Sequence, residues 1–311
     1  MDTPSPDASA LLRNERIAII AVFVGTITIA CAPILVRLSE IGPTATAFHR
    51  FLLAIPLYWA IAAALPRSSE PEDESGGGNE KPRSVRDFGL IAMAGVYLAA
   101  DMGVWHYSIK LTTVANSTLL ANVAPVFVVL GGWLLFRTRV TGTYLVGLAL
   151  AMTGVFVLSQ ASLSLSRAHF VGDLLGVLTA FFYACYQMSV ERLRKRFSTL
   201  TIMVYAIPAS AAVMLPFAVF SGETLAPPTL AGWAVLVALA AGPQVFGQGL
   251  IAWALKHLPV AFASVSLLVQ PVTAALVAWA LFGEHIGVQQ AVGAVVVLSG
   301  ILLARRGSAR R

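Results

Sequence analysis

Ten apolar runs, each about 20 residues long, fill most of this chain, and no other feature constrains its folding as strongly. At 1.5 Å per helical residue, such a run matches the roughly 30 Å hydrocarbon core of a bilayer. The runs cover 17–36, 44–64, 88–108, 113–135, 141–159, 172–190, 201–220, 231–253, 260–281 and 288–304, separated by charged residues or by Pro and Gly. Hydrocarbon offers the backbone no hydrogen-bond partner, so a run that crosses it must be a helix or part of a closed barrel, and runs this long fit helices. The expected fold is therefore an all-α membrane protein with ten transmembrane helices. The whole chain is 58% hydrophobic and only 12% charged. Soluble domains carry about 25% charged residues, so neither an ordinary soluble enzyme nor a disordered polymer fits.

The polar segments are short. Residues 1–16 form a charged tail without the apolar core of a cleavable signal, so the first run is expected to remain as a helix. Residues 66–87, with Glu70, Glu72, Asp73 and Glu74 and the run Gly76-Gly77-Gly78, read as a cytoplasmic linker, and 305–311 as a basic tail. Cys31 and Cys185 both fall inside apolar runs, which points to neither a disulfide framework nor a cysteine metal site. Neither a metal nor a cofactor is implied.

The 21 Lys and Arg residues alternate by loop. With the N-terminus inside, 17 of them occupy inner segments, and only Arg37, Lys110 and Arg167 lie outside, while Arg50 sits within the second run. This positive-inside pattern predicts a plasma-membrane protein with both termini cytoplasmic. The net charge of +6 thus orients the chain in a bilayer and is no sign of nucleic-acid binding.

Shifting the chain by 146 residues aligns the third to fifth runs with the eighth to tenth without a gap. Matches include Lys110/Lys256, Pro125/Pro271, Trp133/Trp279, Phe136/Phe282, Gly147/Gly293 and Gly154/Gly300. Apolar matches are cheap in this composition, but these are not. Each repeat holds five helices, residues 17–159 and 172–304. Because five is odd, the second copy enters the bilayer inverted. Two inverted copies related by an axis in the membrane plane can build a midplane site that opens to either side, which is the architecture of secondary transporters.

The residues that carry a family likeness are now in view. They are Arg50-Phe51, the stretch from Trp105-His106-Tyr107-Ser108 through Thr113-Val114-Ala115-Asn116 to Ala124-Pro125, and Pro271 with Phe282-Gly283-Glu284. With them the chain resembles the drug/metabolite transporter superfamily, and within it the proteins built from two EamA repeats, over 17–304. The Gly-Glu pair of that family stands in the second repeat, whereas the first has Arg137-Thr138. The resemblance implies ten helices with both termini inside and a transported small polar metabolite, such as an amino acid or a nucleoside-like compound, with export favoured. An intramembrane enzyme or a channel is the competing expectation, but no His-Glu-x-x-His, acidic cluster or filter sequence is present.

Ionisable side chains inside a membrane span are costly, so each is a functional candidate. Asp101 in the third run and Arg50, with His49, in the second both lie about 10 Å below the outer surface and could pair. Trp105, one turn from Asp101, could stack on a planar solute. In the eighth run, Gly242-Pro243-Gln244 and Gly247-Gln248-Gly249 predict a kink or break near the midplane, with Gln244 and Gln248 on one face. Gly247 aligns with Asp101 across the repeat. Asn122, Gln270, Tyr183 and Gln187 complete the set of substrate-binding or coupling candidates. The tryptophans read otherwise as an interfacial belt, Gly172 and Gly176 as a close-packing pair, and Glu284 with His285 as a capped turn.

Overall fold

A computed structural model of the chain describes residues 6–65, 80–112, 114–159, 170–282 and 287–308. Gly283, Glu284, His285 and most of the 66–87 linker lie outside the described residues. The first repeat comprises α1 (Pro6–Ala30), α2 (Ala32–Arg37), α3 (Pro43–Ala64), α4 (Val85–Leu111), α5 (Val114–Ala121), α6 (Ala124–Phe136) and α7 (Gly142–Ser159). The second comprises α8 (Phe170–Leu193), α9 (Thr199–Phe220), α10 (Leu230–Leu239), a π-helical segment (Ala240–Gly247), α11 (Gln248–Ala254), α12 (Val260–Ser266), α13 (Val269–Phe282) and α14 (Val288–Ser308). Among the described residues, ten helical units are long and apolar enough to cross a bilayer. They coincide with the ten apolar runs. The first helix starts at Pro6, so part of the polar tail is helical.

Large apolar side chains such as Trp59, Trp133, Leu134, Trp279 and Leu302 remain exposed around the periphery. In water this would be a liability; against lipid tails it is the expected exterior. Close packing inside is supplied by small residues. A Cβ on Gly95 would stand 2.2 Å from the Ala206 carbonyl oxygen, which brings α4 against α9. Gly172 and Gly176 likewise pack closely, against Thr112 and Leu120.

The inverted repeat is visible in one helix pair. A Cβ on Gly147 of α7 would lie 2.7 Å from the carbonyl oxygen of Gly300 in α14, and a Cβ on Gly300 would lie 2.7 Å from that of Gly147. Seven residues along, Gly154 meets the Gly293 carbonyl at 2.8 Å and Gly293 meets that of Gly154 at 3.0 Å. As α7 advances, α14 recedes, so the helices are antiparallel. Under the 146-residue shift, Gly147 maps onto Gly293 and Gly154 onto Gly300. Each glycine therefore packs against the image of the other, as a two-fold axis passing between the helices requires.

The two faces of the bundle are fastened differently. On the face away from the chain ends, Glu223 forms an ion pair with Lys110 and accepts a hydrogen bond from the Ala45 backbone amide at 2.9 Å. Burial raises the Glu223 pKa, but the Lys110 and Ala45 contacts outweigh it and hold the carboxyl below its ordinary value. Thr112 donates to Asp173 at 2.7 Å, and Ser108 to the Gly172 carbonyl at 2.7 Å. All of these join one repeat to the other. On the terminal face, Arg196 bridges Glu80 and Asp87, both at 2.9 Å.

Candidate functional site

Three spans are interrupted where the sequence alone raised no flag. α1 gives way to α2 at Cys31, α5 to α6 at Asn122–Val123, and α12 to α13 at Leu267–Leu268. Each interruption precedes a proline (Pro33, Pro125, Pro271) whose ring removes a backbone donor from the ladder. The second and third are repeat images: a shift of 146 carries Asn122 onto Leu268. In the eighth span, where the sequence predicts a kink or break, the helix is distorted but not broken. It stays helical and absorbs Pro243 in the wider i→i+5 turns of the π segment.

All three interruptions reach one cavity of about 110 Å³, lined by Ala32 and Pro33, by Asn122 and Pro125, and by Leu267, Leu268 and Gln270. Non-helical backbone is tolerated at membrane depth where it faces a cavity or packed protein. Thus the breaks and the cavity explain one another. Of the sequence candidates, Arg50, Asp101, Trp105, Asn122, Tyr183, Gln248 and Gln270 line this space. Thr118, Thr179, Ser264 and Met102 also line it and escaped the sequence reading. Small hydroxyl residues occur on many transmembrane faces and carry no signal by themselves.

His49, Gln187 and Gln244 are not in the wall. The His49 ring bonds the Ala45 carbonyl at 2.9 Å and packs edge-on to Phe48 and Trp233, which makes it a packing residue between α3 and α10. Gln187 is fully buried with neither amide atom hydrogen-bonded. Gln244 does not share the cavity-facing side with Gln248, because the π turns rotate it toward α3.

There it meets Arg50. The Arg50 Nε donates to Gln244 Oε1 at 2.9 Å, and Nη1 approaches the Met102 sulfur at 3.7 Å. Arg50 and Asp101 share the cavity but form no direct ion pair: the structure brings the two charges together without letting them touch. Tyr58, two turns beyond Arg50 on α3, directs its hydroxyl at the carbonyls of Gln244 and Val245, at 3.1 and 3.2 Å. It thereby ties α3 to the π segment. Gly25 of α1 closes on the other side, where a Cβ would stand 2.7 Å from the Gly247 carbonyl oxygen.

The guanidinium keeps one buried donor, Nη2, without a partner. Thr179 Oγ1 and Gln248 Oε1 in the wall are also unpartnered. An unsatisfied buried polar group costs about 1–3 kcal/mol, and more when charged. A ligand that supplied an anionic group to Arg50 would recover this. Among the described residues no group of three His, Cys, Asp or Glu side chains could hold a metal ion.

Comparison with known proteins agrees with this architecture. A solved crystal structure superposes with a TM-score of 0.76 over 94% of this chain and 98% of its own, at 17% identity, which establishes the shared fold. An uncharacterized transporter of Archaeoglobus fulgidus is 27% identical over 279 residues, 86% of this chain and 89% of that protein. A probable terminal-alkyne amino-acid exporter of Streptantibioticus cattleyicolor is 28% identical over 74% of this chain and 76% of its own. The pseudopaline exporter CntI of Pseudomonas aeruginosa is 24% identical over 54% of this chain and 57% of its own. The profile of the EamA-like transporter family matches residues 16–160 and again 170–306, the two repeats in turn. This chain is a multi-pass membrane protein and belongs to the EamA-like transporter family.

Proposed function

We propose that this protein exports a small polar metabolite of amino-acid type, by alternating access of the two inverted repeats around the Arg50–Asp101 cavity. The observation that carries the reading is that an arginine and an aspartate side chain line one cavity without bonding each other. Left alone, two such groups gain most by collapsing onto each other. Here Gln244 and Met102 hold the guanidinium away, so an anionic group of a solute can take Arg50 while its cationic group takes Asp101. A zwitterion fits both ends. Two relatives named as exporters support the direction. The distribution of basic residues supports reading the terminal face as cytoplasmic, in the plasma membrane of the cell.

Proteoliposomes loaded with unlabelled L-amino acids test this by counterflow of labelled ones, with wild type compared to Arg50→Gln and Asp101→Asn. Loss of a charge-assisted hydrogen bond of about 1.5–3 kcal/mol predicts a tenfold or greater fall in apparent affinity for either variant. Uptake at wild-type affinity in both variants refutes the assignment.

A further inference from the structure

Beyond the cavity wall, on its terminal side, lies a second group of polar side chains that the transport site leaves unused. Tyr186 and Gln187 of α8 are 1% and 0% exposed, and the Tyr186 hydroxyl and both Gln187 amide atoms have no hydrogen-bond partner. They follow Tyr183, which lines the cavity, by three and four residues and so share its helical face. The Tyr183 and Tyr186 rings stack at 6.0 Å, and Tyr183 lies against Gln187 and Gln248. Across from them stands Tyr58 of α3, about 12 Å nearer the terminal face than Arg50. Its hydroxyl is occupied by the π-segment carbonyls. On the eighth span Gln248, also turned into the cavity, retains an unpartnered Oε1.

Three helices therefore carry hydrogen-bonding groups from the cavity toward the terminal face. Toward the terminal face two of these helices then present buried apolar side chains, Val190 and Leu193 of α8 and Ile251 and Ala254 of α11. Structural glue does not account for Tyr186 and Gln187, because groups that hold helices together spend their hydrogen bonds on a neighbouring helix, and the Tyr186 hydroxyl and Gln187 amide atoms have no such geometry. We infer that Tyr58, Tyr186 and Gln187 line the terminal-face half of the transport path and form a polar subsite beneath Arg50 and Asp101. The subsite takes the uncharged hydrogen-bonding portion of the solute and is closed in this conformation by the apolar residues below it. This rests on the transport reading.

The test is thiol accessibility in a background carrying Cys31→Ala and Cys185→Ala. Gln187→Cys, Tyr186→Cys and Tyr58→Cys are exposed from the terminal side of membrane vesicles to a trimethylammonium methanethiosulfonate reagent. Arg306→Cys serves to identify that side. Ala206→Cys is the control, since Ala206 is fully buried, packs against α4 and lies at similar depth, seven residues from the start of α9. Labelling of the three path positions at least ten times faster than Ala206→Cys is the expected result. Labelling no faster than Ala206→Cys overturns the inference. The three positions lie on two helices, so misfolding of one variant leaves the test intact. Amino-acid counterflow is measured separately. Accessible path positions without counterflow would refute the transport reading and leave a water-accessible track, whereas counterflow with inaccessible positions would refute the path.

Discussion

A methyl group placed on Gly147 should drive the two repeats apart at their shared axis. Its Cβ would sit 2.3 Å from the Ala304 amide nitrogen and 2.7 Å from the Gly300 carbonyl oxygen. Both are backbone atoms, so no side chain can swing aside. Restoring an ordinary 3.4 Å contact requires α7 and α14 to separate by about 1 Å. A gap of that size forfeits roughly a quarter to a half of the dispersion energy along the seam, and overpacking of this kind costs about 1–3 kcal/mol. Gly300→Ala meets the Ala151 amide at the same 2.3 Å and should cost about the same, because it is the reciprocal contact at the same helix crossing. The double variant should cost less than the sum, since one separation relieves both clashes. Gly89→Ala and Gly142→Ala, where a Cβ meets nothing within 4 Å, are the controls. The assay is thermal unfolding of purified protein in detergent. Stability of Gly147→Ala equal to that of the controls, or strict additivity with Gly300→Ala, would refute the packing argument.

Two further outcomes follow from contacts elsewhere. Tyr58→Phe removes the hydroxyl that serves the Gln244 and Val245 carbonyls; a loss of about 1–2 kcal/mol in thermal or denaturant unfolding is expected, and an unchanged midpoint would show that the π segment does not depend on it. Glu223 is held below its ordinary pKa of 4.5, so its contribution to stability is present above that value and is lost as the pH falls through the lower, folded-state value. The melting temperature of the wild type should therefore drop on acidification below about 4.5 by more than that of Glu223→Gln, and parallel curves for the two proteins would count against the Lys110 latch.

The number of spans, their limits to within a few residues and the inverted repeat were legible in the amino-acid order. Each depends on local apolarity or on a register that a shift of 146 residues exposes without any knowledge of contacts. Ionisable residues were legible for a related reason: Asp101 and Arg50 stand out because hydrocarbon penalises charge wherever the helix turns. What the sequence could not convey was direction around each helix. These helices are apolar on nearly every face, so no stripe marks the inward side, and Gln187, Gln244 and Gln248 look alike until neighbouring helices are docked.

Only the tertiary structure decided that Arg50 bonds Gln244 while Asp101 stands apart, and that Gln248 faces the cavity whereas His49 packs against Trp233. It also decided where the helices part. A proline weakens a span locally, but whether the span breaks, as before Pro125 and Pro271, or widens into π turns, as around Pro243, depends on what packs against it. Around Pro243 the Tyr58 hydroxyl of α3 bonds the Gln244 and Val245 carbonyls and the span holds; at the other two positions the backbone opens onto the cavity that the breaks help to form.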